Sequence, residues 1–149
     1  MKKLMIVGGT GFFGKSFIDC FIRKKLNKWF ISKLIIISRN SNKFKKNYKE
    51  LVGRNISFIT MDIKVAKSLP HADYIIHAAA STNEKKYLKN IQKEINNNKK
   101  SLINFCSLIG DKKFIKSNIV YLSSGAVYGN FKQIAQTRED RKINKKDLS

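Results

Sequence analysis

The stretch KLMIVGGTGFFGKSFIDCFI, Lys3 to Ile22, decides the fold. KLMIV (Lys3–Val7) reads as a short buried strand. Gly8 to Gly14 form a glycine-rich turn. From Lys15 to Lys25 the apolar residues Phe17, Ile18, Phe21 and Ile22 recur at helical spacing. Gly9, Gly11 and Gly14 satisfy G-x-G-x-x-G, and Gly8, Gly11 and Gly14 satisfy G-x-x-G-x-x-G. A diphosphate needs glycine here for three reasons: the turn is tight, the phosphates approach the backbone closely, and the helix packs on the strand. The helix N-terminus adds free N–H groups and a positive dipole end. A lone glycine motif is weak, but strand, turn and helix in this order point to a dinucleotide. Thr10, Phe12 and Phe13 complete the turn and are expected beside the ligand.

The alternation continues along the chain. KLIIIS (Lys33–Ser38) reads as a second strand, NISFITMDI (Asn55–Ile63) as a third, ADYIIHAAA (Ala72–Ala80) as a fourth and NIVYLSS (Asn118–Ser124) as a fifth. Tyr87 to Ile109 reads as a long helix with Leu88, Ile91, Ile95, Leu102, Ile103 and Phe105 as its apolar stripe. Strands alternating with helices imply a parallel sheet covered on both faces. Right-handed crossovers make it a doubly wound α/β fold.

The end of the second strand selects the dinucleotide. An acid there binds the 2′-hydroxyl of NAD, and an arginine accommodates the 2′-phosphate of NADP. The sequence has Ser38, Arg39 and Asn40, with no acid. Arg39 can pair bidentately with a phosphate, and Lys43 can assist. NADP is therefore preferred, with NAD as the alternative; Arg39 as one more surface cation is the bland reading.

The chain has 149 residues, enough for one domain with a core. No apolar run is long enough to span a membrane. Cys20 and Cys106 lie in apolar, helix-like stretches without Cys-x-x-Cys spacing, and there are only 2 histidines. Zinc or another metal is not expected; reduced, buried cysteines of a cytoplasmic protein are. The net charge of +21 invites a polyanion partner. The lysines are spread along the whole chain, however, and no aromatic–basic interleaving accompanies them. Compositional drift explains the charge better than nucleic-acid binding.

Four segments in order carry a resemblance: the glycine turn, MDI after the third strand, HAAA after the fourth, and YLSSGAVYG after the fifth. Together they resemble the extended short-chain dehydrogenase/reductases, the NAD-dependent epimerase/dehydratase family, up to about Gly129. The resemblance implies a Rossmann-type fold and chemistry on nucleotide-diphosphate sugars. It implies that Asp62 accepts a hydrogen bond from the adenine amino group, with Ile63 beside the ring; capping of the next turn is the other role for Asp62. It implies that Ala78, Ala79 and Ala80 line the cofactor and that Ser123 sits near the nicotinamide. Ser124 matches the catalytic Ser or Thr that hydrogen-bonds the substrate oxygen. One of Asn96, Asn97 and Asn98 matches the asparagine of the family's central helix, although the Gly-Thr that follows it is missing. His77 is given no chemistry. Gly125 and Ala126 stand where the dehydratases resemble a Thr-Asp-Glu segment, so an epimerase or 4-ketoreductase fits better than a 4,6-dehydratase.

Tyr128 and Lys132 have the Tyr-x-x-x-Lys spacing of the family's acid/base pair. Yet YGNFK opens on Gly and Asn straight after a strand, which is turn chemistry. Tyr128 instead matches the tyrosine of the family's VYG segment. Glu139 resembles the acid in the loop before the catalytic helix. That helix and the C-terminal substrate domain are expected to lie beyond Ser149. The expected organisation is residues 1–130 as an incomplete NAD(P)-binding domain and 131–149 as a polar loop or tail. The expected function is the NAD(P)-binding half of a nucleotide-sugar epimerase or 4-ketoreductase, inactive as this chain alone. A non-catalytic dinucleotide-binding module is the alternative, and a basic nucleic-acid-binding protein the lesser one. The family's homodimer uses the long central helix and the helix bearing the Tyr–Lys pair; it is not expected of this chain, whose stripe would stay partly uncovered.

Overall fold

The computed structural model describes residues 1–80 and 89–123. Its strands are β1 (Lys2–Val7), β2 (Ile31–Ser38), β3 (Ile56–Thr60), β4 (Tyr74–His77) and β5 (Asn118–Tyr121); its helices are α1 (Phe12–Ile22), α2 (Ser41–Asn47) and α3 (Ile91–Ile109). All four strand pairings are parallel, and the order is β3-β2-β1-β4-β5. From β1 the chain winds outward through β2 to β3, then returns to the other side of β1 as β4. This is the doubly wound Rossmann arrangement, with its switch in strand order between β1 and β4.

Strand periodicity splits the core in two. Leu4 and Ile6 of β1 and Leu34 and Ile36 of β2 point to one face, where Ile18 of α1 and Phe44 of α2 cover them. Met5 and Val7, with Ile35 and Ile37, point to the other, against Phe105 of α3 and Phe114. Strands apolar on both faces carry no polar alternation, which is why KLMIV and KLIIIS read as continuous runs.

Several boundaries differ from the sequence expectation. α1 starts at Phe12, inside the glycine turn, because Gly11 serves as its N-cap. β3 ends at Thr60, leaving Met61–Asp62–Ile63 in the following turn. α3 starts at Ile91, where the Asn90 side chain accepts from the Lys93 N–H at 2.9 Å; Tyr87 and Leu88 lie outside the described residues. Its buried face is Ser101 and Phe105, a helical turn apart. Ile91, Ile95 and Ile103 of the expected stripe are exposed and point away from the sheet, so the stripe is partly uncovered. Cys106, expected to be buried, follows Phe105 onto the outer side and is exposed, while Cys20 is half-buried; both are free. The short helix α2 had no counterpart in the sequence reading: its lysine-rich turn buries only Ser41 and Phe44.

Among the described residues no helix is long and apolar enough to cross a membrane, and no group of His, Cys, Asp and Glu could hold a metal.

Candidate dinucleotide-binding site

The carboxyl ends of β1, β2 and β4 open on a cleft of ≈ 720 Å³. The ladder fixes its floor: Ala78 N–H donates to the Val7 carbonyl at 2.8 Å, and Gly8 N–H donates to the Ile37 carbonyl at 2.8 Å. Gly8 turns the chain out of β1 with φ +83°, and a Cβ there would lie 2.7 Å from the Ala78 backbone. At Gly14 a Cβ would drive into the Gly9 carbonyl, so the helix can start this close to the strand only without a side chain. Gly11 differs: a Cβ there would meet nothing nearer than the Gly8 carbonyl at 3.5 Å. Its openness is toward the cleft, where a ligand would approach. No side chain caps the α1 N-terminus, so its first N–H groups remain for a ligand.

Of the expected cofactor residues, Gly8, Thr10, Gly11, Phe12, Phe13 and Gly14 line this cleft. Ser38, Arg39, Asp62, Ile63, Ala78, Ala79, Ala80 and Ser123 line it from the other strand ends. Gly9 does not; it is buried beneath the turn against Ile36. Phe12 and Phe13 stand exposed, their rings edge to face at 5.6 Å. Ser38 ties the β2 end to the glycine turn, its Oγ 2.6 Å from Thr10 Oγ1. Arg39 follows it, exposed at the cleft wall.

Asp62 caps the next turn: its Oδ1 accepts from the Lys64 N–H at 3.0 Å, and Oδ2 lies 3.8 Å from Lys64 Nζ. Turn capping and a place in the cleft therefore coexist. Leu122 N–H donates to the His77 carbonyl at 3.0 Å, extending the β4–β5 ladder and bringing Ser123 to the cleft. Ser124, Tyr128, Lys132 and Glu139 lie outside the described residues.

The sequence reading missed three supports. Ser41, fully buried, holds its Oγ 3.0 Å from both the Ser38 and Ile59 carbonyls, which share its one O–H, joining the ends of β2 and β3. Asn104 of α3 donates to the Ile63 and Ala66 carbonyls at 2.7 and 2.9 Å and pins the turn that carries Asp62. Lys64, in the cleft wall, donates to Asn97 Oδ1 at 3.2 Å. Nothing in the sequence separates Lys64 from the other lysines. Of the three candidate asparagines, Asn97 and Asn98 line the cleft; Asn96 is exposed and accepts from Gln92.

Beneath the site His77 is 3% exposed, between the rings of Phe105 at 4.4 Å and Tyr121 at 5.2 Å. Its Nε2 has no hydrogen-bond partner among the described residues. Burial pushes its pKa below the ordinary histidine value.

The profile of the NAD dependent epimerase/dehydratase family matches residues 4–147. The chain belongs to the NAD dependent epimerase/dehydratase family. A UDP-glucose 4-epimerase of Rickettsia felis is 34% identical over 83 residues, which is 53% of this chain and 24% of that protein. UDP-N-acetylglucosamine 4-epimerase from Methanobrevibacter ruminantium M1 superposes with a TM-score of 0.74 at 22% identity, over 96% of this chain and 44% of that one. The dTDP-glucose 4,6-dehydratase DesIV from Streptomyces venezuelae, solved with NAD bound, gives 0.75 at 18% identity, over 93% and 44%. The two structural likenesses establish the fold. The chain spans less than half the length of each of these epimerase/dehydratase proteins.

Proposed function

We propose that this chain is the dinucleotide-binding part of a nucleotide-sugar epimerase or 4-ketoreductase, and that it prefers NADP to NAD. The observation that carries the reading is convergence. The glycine turn, the end of β2, the Asp62 turn and the small residues after β4 meet in one cleft at the switch in strand order. Its residues fit a dinucleotide: an uncapped helix N-terminus and the open Gly11 backbone suit the diphosphate. Arg39 takes the 2′-phosphate. Asp62 offers the adenine amino group the oxygen that its turn leaves, with Ile63 beside the ring. Ala78, Ala79 and Ala80 leave room for the cofactor, and Ser123 lies toward its nicotinamide end.

The cofactor, when bound, supplies the hydride donor or acceptor. Ser124 hydrogen-bonds the sugar oxygen as it changes between alcohol and ketone. Residues 1–130 are assigned to the cofactor domain, and 131–149, polar in sequence, to a loop or tail beyond it. The 149-residue chain alone is expected to bind the dinucleotide without turning over a sugar nucleotide, because the Gly129–Asn130 pair between Tyr128 and Lys132 is a turn-type rather than a helix-type sequence.

Calorimetric titration of the purified chain with NADPH and NADH tests the preference. NADPH should bind more tightly, and Arg39→Ala should weaken NADPH about tenfold while leaving NADH nearly unchanged, as for loss of a charge-assisted hydrogen bond. Equal affinity for both cofactors, or parallel loss of both, would contradict the NADP assignment.

A further inference from the structure

The opposite end of the sheet carries a differently built surface. At the amino ends of β2 and β3 lies an open groove of ≈ 580 Å³ lined by Phe21, Ile22, Phe30, Ile31 and Ile56, with Lys24 and Arg54. Between α1 and β2 the backbone turns left-handed twice without glycine, at Lys24 (φ 58°) and Phe30 (φ 60°). Lys24 occupies the C′ position of the turn that closes α1. Its N–H donates to the Phe21 carbonyl at 3.0 Å, and the Lys25 N–H donates to Cys20 at 2.9 Å, the pattern that usually places glycine there.

Phe30 is the more telling residue. A left-handed backbone strains a bulky side chain, and here it holds a ring that is 74% exposed. The ring packs against neither core cluster and stacks on no other ring among the described residues. The fold therefore bears backbone strain while leaving most of this ring exposed. Its neighbours Trp29 and Ile22 are also exposed, at 48% and 43%.

The charge around this apolar cluster has one sign. From Cys20 to Ile56 the only acid is Glu50. Arg23 is paired with Asp19. Lys24, Lys25, Lys28, Lys33 and Arg54 have no acidic partner among the described residues, and Lys28 Nζ lies over the Trp29 ring at 4.2 Å.

We propose that this groove docks the protein on an anionic phospholipid surface. Ile22, Trp29 and Phe30 enter the boundary between headgroups and acyl chains, and the lysines with Arg54 meet the lipid phosphates. Tryptophan favours that boundary, and cations beside an apolar cluster bind anionic leaflets. An aliphatic wedge such as Ile22 suits hydrocarbon better than the stacked bases of a nucleic acid. The attachment is peripheral. Because the strands are parallel, the dinucleotide cleft at their other ends faces away from the lipid.

Trp29 is the only tryptophan, and it is the chain neighbour of Phe30 in the groove lining, so its emission reports on that edge of the surface. The whole chain is titrated at physiological salt with vesicles of phosphatidylcholine alone and with added phosphatidylglycerol. A saturable blue shift of Trp29 emission is expected with the anionic vesicles only. Phe30→Gly keeps the net charge and relieves the left-handed strain. It should weaken partitioning about tenfold or more, with a Tm no lower than that of the unaltered chain. Equal binding by Phe30→Gly would reduce the attraction to net charge and overturn the proposal. So would the absence of any shift, or a response to a single-stranded oligonucleotide at the same salt without one to vesicles.

Discussion

In β1 every residue from Leu4 to Val7 is buried, and β2 repeats this from Leu34 to Ile37, whereas β5 is exposed along its whole length, Asn118 to Tyr121. The two kinds of strand are similarly apolar: three of the four residues of NIVY are hydrophobic, against four of the five of KLMIV. What differs is place. β1 lies in the middle of the order β3-β2-β1-β4-β5, with a helical layer on each face. β5 is the sheet's edge among the described residues, beside a helix whose Ile91, Ile95 and Ile103 also face outward. Burial in this fold follows topology, and stability should be graded from the glycine-turn side toward the β5 side.

The largest expected difference comes from matched truncations. Ile36→Ala removes a fully buried side chain from β2 and should cost about 2–5 kcal/mol, because the cavity cannot collapse between sheet and helix. Val120→Ala, at a β5 position 53% exposed, should change stability by less than about 0.5 kcal/mol. Urea denaturation of both variants measures the contrast. A comparable loss at Val120 would break it.

A smaller effect tests the joint between the two sides. His77 belongs to β4 and holds Phe105 of α3 and Tyr121 of β5 against its ring. Burial lowers its folded pKa, so on acidification the unfolded chain takes up the proton first. Its contribution to stability is then complete above the unfolded pKa of about 6.5 and is lost as pH falls toward the lowered folded value. Urea midpoints should therefore drop below pH ~6.5, and amide exchange should quicken first in β5 and α3. His77→Phe should flatten that part of the profile. An unchanged slope in the variant would remove His77 as the cause.

The sequence made the β1–α1 unit legible because glycine spacing and strand patterning act locally. Gly8, with its positive φ, and Gly14, which no Cβ could replace, sit in the turn that the motif marks. The doubly wound class followed from strand–helix alternation and right-handed crossovers; the strand order came only with the structure. For α3 the sequence shows an apolar stripe expected to stay partly uncovered, and Ile91, Ile95 and Ile103 are its exposed members; helical periodicity alone does not say which of its residues meet the sheet. Ser41 and Asn104 were missed for a related reason. Their value lies in carbonyls 18 and 41 or 38 residues away, which no local pattern reveals. Asp62 is intermediate: the sequence offered it a place beside adenine or a cap of the next turn, and the folded turn makes the cap with the Lys64 N–H while leaving Asp62 in the cleft wall.

The most direct measurement is NADPH titration of the purified chain followed by amide NMR, with a UDP-sugar then added and absorbance at 340 nm monitored. The account predicts saturable binding, with shifts concentrated at Gly8–Gly14, Arg39, Asp62 and Ala78–Ala80, none at Phe30, and no change in absorbance. Failure to bind any dinucleotide, or shifts centred outside that cleft, would contradict it.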